Sequence, residues 1–158
     1  MKTLVVYDSF FGNTEKIAQA IGAALGGPPE VEVHRVTEVK PEQLIGLSWL
    51  IVGSPTRAFN ASPLIKAFLA GIPADALRGV KVAAFDTRFP ASKIPAFLRL
   101  LFRPFGFADR RLVAGLTKKG GELVSPTGGF WVLGTEGPLQ DGELDRAAEW
   151  ARGLLATA

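Results

Sequence analysis

Short apolar runs alternate with amphipathic helical runs along this chain of 158 residues. A continuous apolar run is typical of a strand that is buried on both faces. Strands that alternate with helices form right-handed βαβ units, in which the strands run parallel. The pattern therefore predicts a three-layer α/β fold, a doubly wound five-stranded parallel sheet with helices on both sides. The predicted strands are 3–8, 31–34, 49–53, 80–85 and a fifth in two pieces, 123–124 and 130–133.

The predicted helices have apolar side chains at helical spacing. In the last of them, apolar residues from Leu144 to Leu155 define one face. Ser62 and Pro63 mark the start of another, because serine caps a helix N-terminus and proline fits its first turn. The predicted helices are 13–25, a short one at 42–47, one that begins at 63, 94–102, 109–119 and 144–155.

The second strand differs from the others because its valines alternate with Glu32 and His34. A half-exposed strand suits the edge of a sheet, and continuous apolar strands suit its centre. The strand order 2-1-3-4-5 satisfies both conditions, and residues 1–158 are predicted to form one domain. Ligands of such sheets bind beyond the carboxyl ends of the strands, where the strand order reverses. The functional site is therefore expected in the loops after Asp8, Gly53 and Phe85.

The composition excludes several kinds of site. The chain has no cysteine, which removes disulfides, iron–sulfur clusters, zinc-thiolate sites and thiol nucleophiles. His34 is the only histidine, so a site with several histidine ligands is excluded, and its place on an edge strand argues against a catalytic triad. No apolar run reaches the roughly 18 residues of a membrane span. The chain enters a strand at Thr3 without a signal-peptide pattern, and we expect a cytoplasmic protein.

Basic residues are concentrated in one part of the chain. Between Arg78 and Lys119, ten lysines and arginines stand against two aspartates, a net charge of +8, whereas the rest of the chain has a net charge of −5. A basic region indicates an anionic partner, such as an acidic protein, a phosphorylated ligand or nucleic acid. A solvated helix face explains the same charges equally well. No nucleic-acid-binding motif is present, and we do not expect nucleic acid as the partner.

The loop 9–14 joins the first strand to the first helix and has the residues of a phosphate site. A helix N-terminus offers unpaired N–H groups and a partial positive charge to an anion. Ser9 and Thr14 add hydroxyl groups, and Gly12 allows close approach of the backbone. The loop lacks the lysine of a Walker motif and the glycines of a dinucleotide motif, so it suits one monoester phosphate held by neutral donors. The alternative is an ordinary helix start capped by Ser9 and Asn13.

This loop carries a resemblance to a known family. Val5-Val6-Tyr7-x-Ser9-x-x-Gly12-x-Thr14-x-x-x-Ala18 is similar to the flavodoxin signature, and the likeness extends through 53–56 and 86–88 to 134–138. The resemblance implies a short, flavodoxin-like electron-transfer protein that binds flavin mononucleotide (FMN). Phe11 departs from the family, which commonly has a second hydroxyl residue there. The implied cofactor-binding residues are Ser9, Phe10, Phe11, Gly12, Asn13 and Thr14 in the first loop, Pro55, Thr56, Arg57, Ala58, Phe59 and Asn60 in the second, and Asp86, Thr87, Arg88 and Phe89 in the third.

The flavin ring is flat and partly apolar, so aromatic side chains are its expected neighbours. Phe59 and Phe89 are the first candidates and Phe10 or Phe11 the next, although each of them also suits ordinary loop packing. Arg57 or Arg88, if near the polar edge of the ring, favours the reduced flavin and raises the midpoint potential. Solvated loop arginines are the alternative.

Two other functions remain open at this point. One is an NAD(P)H-dependent FMN or quinone reductase, for which no nicotinamide site is recognised. The other is a cofactor-free regulatory or binding domain on the same fold, to which the change at Phe11 would contribute. A phosphoacceptor receiver is rejected because Gly53 and Ser54 occupy the end of the third strand, where that class needs its aspartate.

The segment 94–107 is strongly apolar, although it contains Arg99, Arg103 and Pro104. We expect most of it to be core, with a dimer or docking face as one alternative and membrane contact as another. The expected partners are redox proteins, with acidic ones among them. The sequence leaves both a monomer and a homodimer open.

Overall fold

A six-stranded parallel sheet with helices on both faces makes up the structure, a computed structural model that describes residues 1–57, 60–90, 95–102 and 107–158. Two short 3-10 turns, Val36–Glu38 and Pro41–Leu44, lie between the second and third strands. In chain order the elements are β1 (Thr3–Tyr7), α1 (Asn13–Ala24), β2 (Val31–Arg35), β3 (Trp49–Pro55), α2 (Pro63–Gly71), β4 (Lys81–Arg88), α3 (Ala96–Phe102), α4 (Ala108–Lys118), β5 (Glu122–Leu123), β6 (Gly128–Trp131) and α5 (Glu143–Thr157).

The strand order is β2-β1-β3-β4-β5, with β6 also paired to β4. Thr3 of β1 lies opposite Val31 of β2 on one side and Trp49 of β3 on the other, and all these pairs are parallel. The predicted order and parallel sheet are therefore confirmed. The order reverses between β1 and β3, so the loops after these strands diverge and leave a crevice at their carboxyl ends.

The fifth position of the sheet is shared by two short strands. Glu122 and Leu123 pair with the start of β4, and residues 128–131 pair with its end. Pro126 lies between the two pieces and has no N–H to donate to the ladder, which explains the interruption. The prediction of a last strand in two pieces is confirmed.

The core has two halves, one on each face of the sheet. Helices α1 and α5 cover one face through residues such as Ile17, Ile21 and Leu154. Helices α2 and α4 cover the other, where Ile65 and Leu112 are fully buried. Alternate residues of the central strands contribute to each half, as the side-chain period of a strand requires. The three-layer prediction is confirmed.

Several predicted helices differ from those observed. The short helix at 42–47 is wrong: the segment forms the 3-10 turn Pro41–Leu44, and Gly46 then takes a left-handed φ of 71° that no helix continues. Ser62 caps α2 as predicted, accepting a hydrogen bond from the Ile65 amide. In α5 the buried stripe is narrower than predicted, since Leu144 and Leu155 are exposed.

The helix predicted at 94–102 is observed from Ala96, and Ile94 lies outside the described residues. The prediction that this segment is mostly core is wrong for the side chains described, because Phe97, Leu100 and Leu101 are 71%, 73% and 63% exposed. Among the described residues, no helix has the length and apolar character needed to cross a membrane.

Candidate functional site

The first loop, residues 8–12, forms a tight turn between β1 and α1. The Ser9 hydroxyl accepts a hydrogen bond of 3.0 Å from the Gly12 amide, which closes the turn. Gly12 has a φ of 91°, in the left-handed region that costs other residues about 1–2 kcal/mol. It lies just before α1 and, having no side chain, caps the helix with its backbone alone. The alternative of side-chain caps at Ser9 and Asn13 is therefore wrong.

The turn leaves backbone donors free at the start of α1. Within the described residues, the amides of Phe10, Phe11, Asn13 and Thr14 donate to no protein acceptor. The Asn13 side chain is engaged, because its amide group donates to the Glu136 carbonyl of the loop after β6 at 3.1 Å. A helix N-terminus with several free amides favours an anion.

Arg35, at the end of β2, supports this loop from behind. Its guanidinium donates to the Ser9 carbonyl at 2.8 Å and lies 3.5 Å from Asp8 and 3.4 Å from Glu15. Two carboxylates therefore balance its charge, and it fixes the loop without adding positive charge to the crevice. The sequence reasoning missed this contact, because a strand arginine far along the chain carries no local signal for it.

The second loop begins at Pro55 and turns back on itself. The amide of Arg57 donates to the Asn60 carbonyl and the amide of Asn60 donates to the Arg57 carbonyl, at 3.0 and 2.9 Å. The Asn60 side chain accepts a hydrogen bond from the Ala61 amide, so this residue stabilises the turn. Ala58 and Phe59, both predicted to bind the cofactor, lie outside the described residues.

The third loop begins at the end of β4 and rests on a buried ion cluster. Arg88 contacts Asp86 at 2.5 Å and Asp109, in the first turn of α4, at 3.0 Å. Two hydroxyls complete the cluster: Thr56 donates to Asp86 at 2.7 Å and Thr127 donates to Asp109 at 2.6 Å. The cluster therefore joins the second loop, β4, α4 and the segment between β5 and β6.

The two carboxyls of this cluster have opposite pKa shifts. Burial raises the pKa of Asp86 to about 6, against the attraction of Arg88 and the hydrogen bond from Thr56. Burial also acts on Asp109, but the hydrogen bond from Thr127 and the charge of Arg88 hold its pKa below the usual range. Complete burial is therefore the reason that Asp86 takes up a proton more readily than an ordinary aspartate.

The three loops enclose a cavity of about 320 Å³, within the roughly 300–1,000 Å³ range of small-molecule sites. Three phenylalanines, Phe10, Phe11 and Phe89, are 37–48% exposed at its mouth. The hydroxyl of Thr14, in the first turn of α1, lies 2.8 Å from the hydroxyl of Thr87, near the end of β4. Eleven of the predicted residues line the cavity: Ser9, Phe10, Phe11, Asn13, Thr14, Pro55, Thr56, Arg57, Thr87, Arg88 and Phe89.

Comparisons with known proteins agree with this arrangement. No protein-family model matches the chain. A 45-residue segment is 53% identical to the flavodoxin of Picosynechococcus sp. strain PCC 7002, covering 28% of this chain and 26% of that relative.

The oxidised flavodoxin 1 of Bacillus cereus superposes with a TM-score of 0.77 at 19% identity, over 100% of this chain and 99% of its own. The oxidised flavodoxin 2 of the same organism gives 0.76 at 22% identity, over the full length of both chains. The predicted flavodoxin-like fold is confirmed. The curated relative is matched over about a quarter of its length, and the structures at this identity establish the fold.

Within this flavodoxin-like fold, three described residues that were predicted to bind the cofactor are not among the residues that line the cavity. Asp86 is fully buried in the ion cluster, Gly12 shapes the first turn, and Asn60 closes the second. Each of the three stabilises a loop, and neighbouring residues of that loop line the cavity.

Three residues of the cavity were missed: Phe107, Val132 and Thr135. Phe107 comes just before α4, and the Arg88 guanidinium lies over its ring at 4.0 Å. Val132 and Thr135 follow β6, so the segment after β6 also lines the cavity. Gly134-Thr135-Glu136-Gly137 was the available signal, since such a turn after the last strand lies at the same edge of the sheet.

Proposed function

We propose that this chain binds FMN in the crevice and acts in electron transfer. The observation that carries the proposal is the first turn, where four free amides lie at the N-terminus of α1 and on the wall of the cavity. A phosphate monoester offers the several acceptor oxygens that these donors need. Two carboxylates balance the charge of Arg35, so the backbone amides of this turn are the donors that we propose for the phosphate.

The rest of the cavity fits a flat heterocycle. Its walls are largely apolar, with Phe89, Phe107 and Val132 beside the Thr56 and Thr87 hydroxyls. Aromatic groups stack on such a ring, and a few polar groups fix its orientation. The bound flavin supplies the electron-transfer chemistry, and the chain supplies position and access. Phe10, Phe11 and Phe89 are exposed at the mouth of the cavity, so the mouth is accessible to a redox partner.

Binding of FMN and riboflavin to the purified protein tests the proposal. We expect FMN to bind with quenching of its fluorescence, and riboflavin to bind at least about 100-fold more weakly because it lacks the phosphate. Equal affinities would show that the first turn does not hold a phosphate. Failure to bind either compound, with colourless purified protein, would favour the cofactor-free regulatory domain.

A pair of glycine variants locates the site. Gly12 and Gly79 both have a left-handed φ, 91° and 75°, and a Cβ on either meets no other group. Alanine at each position therefore costs about 1–2 kcal/mol of backbone strain. We expect only Gly12→Ala to weaken FMN binding, since Gly79 precedes β4 at the opposite edge of the sheet.

The FMN-loaded protein also tests the reductase alternative. Mixed with NADPH without oxygen, an electron carrier keeps its yellow colour for minutes, whereas a reductase is bleached rapidly. We expect no rapid bleaching.

A further inference from the structure

The Thr56 hydroxyl connects the cavity to the buried carboxyl of Asp86. Thr56 lines the cavity, and its Oγ1 lies 2.7 Å from Oδ2 of Asp86. The same Oγ1 accepts a hydrogen bond of 3.1 Å from the Ala108 amide at the start of α4. Asp86 is fully buried and is not among the residues that line the cavity. It therefore acts on a molecule in the cavity through a neighbouring side chain, and Thr56 is in place for that.

The two oxygens of the Asp86 carboxyl have different partners. Oδ1 accepts from Nε of Arg88 at 2.7 Å and lies 2.5 Å from a terminal nitrogen of the same guanidinium. Oδ2 accepts from the Thr56 hydroxyl. An oxygen that already accepts from two charged donors has little capacity left for a proton, so a proton on this carboxyl belongs on Oδ2, where it faces Thr56.

This proton decides where the hydrogen of the Thr56 hydroxyl points. While Asp86 is ionised, its Oδ2 can only accept, so the hydroxyl donates to it and has a lone pair left for the cavity. Once Oδ2 carries a proton, the carboxyl donates to Oγ1, which still accepts from the Ala108 amide. Within the described residues the hydroxyl hydrogen then has no other acceptor, so it is free for an acceptor in the cavity.

The charged groups that face Asp86 in the described part of the chain are Arg88 on its own strand and Asp109 on α4. Burial raises the pKa of Asp86 to about 6; the charge of Arg88 opposes this rise, and the charge of Asp109 adds to it. The residues opposite Asp86 on the adjacent strands, Ser54 of β3 and Gly129 of β6, carry no charge. The carboxyl therefore changes its protonation state at mildly acidic pH.

We propose that Asp86 and Thr56 set which hydrogen-bonding group the cavity offers to a bound flavin ring. With Asp86 neutral, Thr56 donates to a carbonyl oxygen of the ring. With Asp86 ionised, the Thr56 lone pair faces that oxygen and binding is weaker. Thr56 is thus a binding residue, and Asp86 is a positioning residue that acts through it. The inference rests on the proposed function, since the ring is that of the flavin.

The affinity for riboflavin at several pH values tests this pair. Riboflavin is preferred to FMN as the probe, because the phosphate of FMN itself titrates at about pH 6. Riboflavin has no group that ionises between about pH 5 and 8, so a change in its affinity reports on the protein. We expect it to bind about fivefold to tenfold more tightly at pH 5 than at pH 8, the ratio that one hydrogen bond supplies. Affinity that is independent of pH, or higher at pH 8, would overturn the proposal.

Proton uptake on binding gives a second readout, which a merely structural role of Asp86 would not produce. If the ligand favours the neutral carboxyl, binding at about pH 6.5 must draw part of a proton from the solvent. Calorimetry in buffers of different ionisation enthalpy measures this uptake. No uptake in the unmodified protein would contradict the coupling.

Two substitutions separate the carboxyl from the hydroxyl. Asp86→Asn cannot ionise, and its carboxamide accepts from Arg88 and donates to Thr56 as the neutral acid does. We expect it to bind riboflavin at pH 8 as tightly as the unmodified protein does at pH 5. Thr56→Val keeps the shape of the side chain without the hydroxyl and should bind weakly at every pH, whereas Thr56→Ser should keep the pH dependence. A pH dependence that survives in Thr56→Val would overturn the role of the hydroxyl.

Thr127→Val is the matched control. The Thr127 hydroxyl donates to Asp109 of the same ion cluster at 2.6 Å, and Thr127 is not among the residues that line the cavity. Its loss disturbs the cluster but leaves the Thr56–Asp86 hydrogen bond, so the pH dependence of riboflavin binding should persist. Loss of the dependence in Thr127→Val as well would assign it to the cluster as a whole and overturn the pair.

Failure of the proposed function has a different signature. If FMN binds and the affinity for riboflavin does not vary with pH, the proposed function stands and this inference fails. If neither compound binds, the proposed function fails, and a ¹³C NMR titration of the Asp86 carboxyl in the ligand-free protein tests the pair. Thr56 donates to the ionised carboxyl, so Thr56→Val should raise the titration midpoint and Thr127→Val should not. Equal midpoints in Thr56→Val and the unmodified protein would overturn the pair itself.

Discussion

Two guanidinium groups line the same cavity in opposite surroundings. Arg88, on the third loop, is 11% exposed and shared between Asp86 and Asp109, with Phe107 beneath it. Arg57, on the second loop, is exposed and lies over the Phe10 ring at 4.7 Å. Among the described residues, no carboxylate lies within ion-pair distance of Arg57. The charge of Arg88 therefore holds the fold together, whereas that of Arg57 is free to act on a ligand.

The surroundings of Arg88 explain why this loop needs an arginine. Gly129 of β6 lies against the guanidinium, and a Cβ there would approach it to 2.8 Å. Four segments meet at the cluster, so its hydrogen bonds hold together the parts of the chain that carry Thr56 and Arg88 to the cavity. The sequence suggested that Arg57 or Arg88 raises the midpoint potential of the flavin. Because carboxylates already compensate Arg88, we expect this effect from Arg57.

We expect the largest difference between the two arginines in the stability lost when each is replaced by methionine. Arg88→Met leaves the buried Asp86 and the half-buried Asp109 without a cation, and removal of one partner from a buried ion pair costs about 3–5 kcal/mol. Arg57→Met removes an exposed contact and should cost less than about 1 kcal/mol. Urea unfolding of the two variants measures the difference. Similar losses in both would show that the buried cluster does not stabilise the fold.

The dependence of the free energy of unfolding on pH tests whether Asp86 has a raised pKa. The pKa of Asp86 is raised from 3.8 to about 6, so the folded chain keeps this proton over a range in which the unfolded chain has lost it. The stability linked to Asp86 is therefore fully present below about pH 4 and is lost as the pH rises to about 6. The loss is on the order of 2–3 kcal/mol.

Asparagine does not ionise, so the Asp86→Asn variant lacks this pH-dependent loss of stability. We expect the free energy of unfolding of the unmodified protein to fall relative to that of Asp86→Asn between pH 4 and 6.5. Urea unfolding at several pH values checks this. Curves that stay parallel over the range would mean that Asp86 ionises normally despite its burial.

Much of the fold and the first loop could be predicted, because their signals are local. The apolar strands and the switch between β1 and β3 follow from short-range patterns, and the helix start at 13 follows from one loop. The contacts that hold the loops in place could not be predicted this way. Arg35 reaches the first loop from β2, and Asp109 and Thr127 reach Arg88 from two other segments. Such pairings depend on packing between segments, which no single stretch of sequence contains.

Exposure was harder to predict than secondary structure. The leucines of 94–102 have the composition of a core helix, and only the structure shows that α3 presents them to solvent. The mistake has a physical reason: a helix with apolar residues at most positions has no polar face to indicate its orientation. The α5 helix shows the same difficulty, because Leu154 is buried in the core whereas Leu144 and Leu155 are exposed.

The smallest effect we expect concerns Arg57 and the midpoint potential of bound FMN. Reduction adds negative charge to the flavin, and a nearby cation without a carboxylate partner stabilises the reduced form. Because Arg57 is exposed, solvent and salt weaken this effect to about 20–50 mV. Arg57→Met should therefore lower the midpoint potential by that amount, and Arg57→Lys should keep most of the stabilisation of the reduced flavin.

Lys118→Met, which loses the same charge at the other edge of the sheet, is the control and should change the potential by less than about 10 mV. A potential that is unchanged or higher in Arg57→Met would mean that the Phe10 ring holds the guanidinium away from the flavin, and both arginines would then be structural.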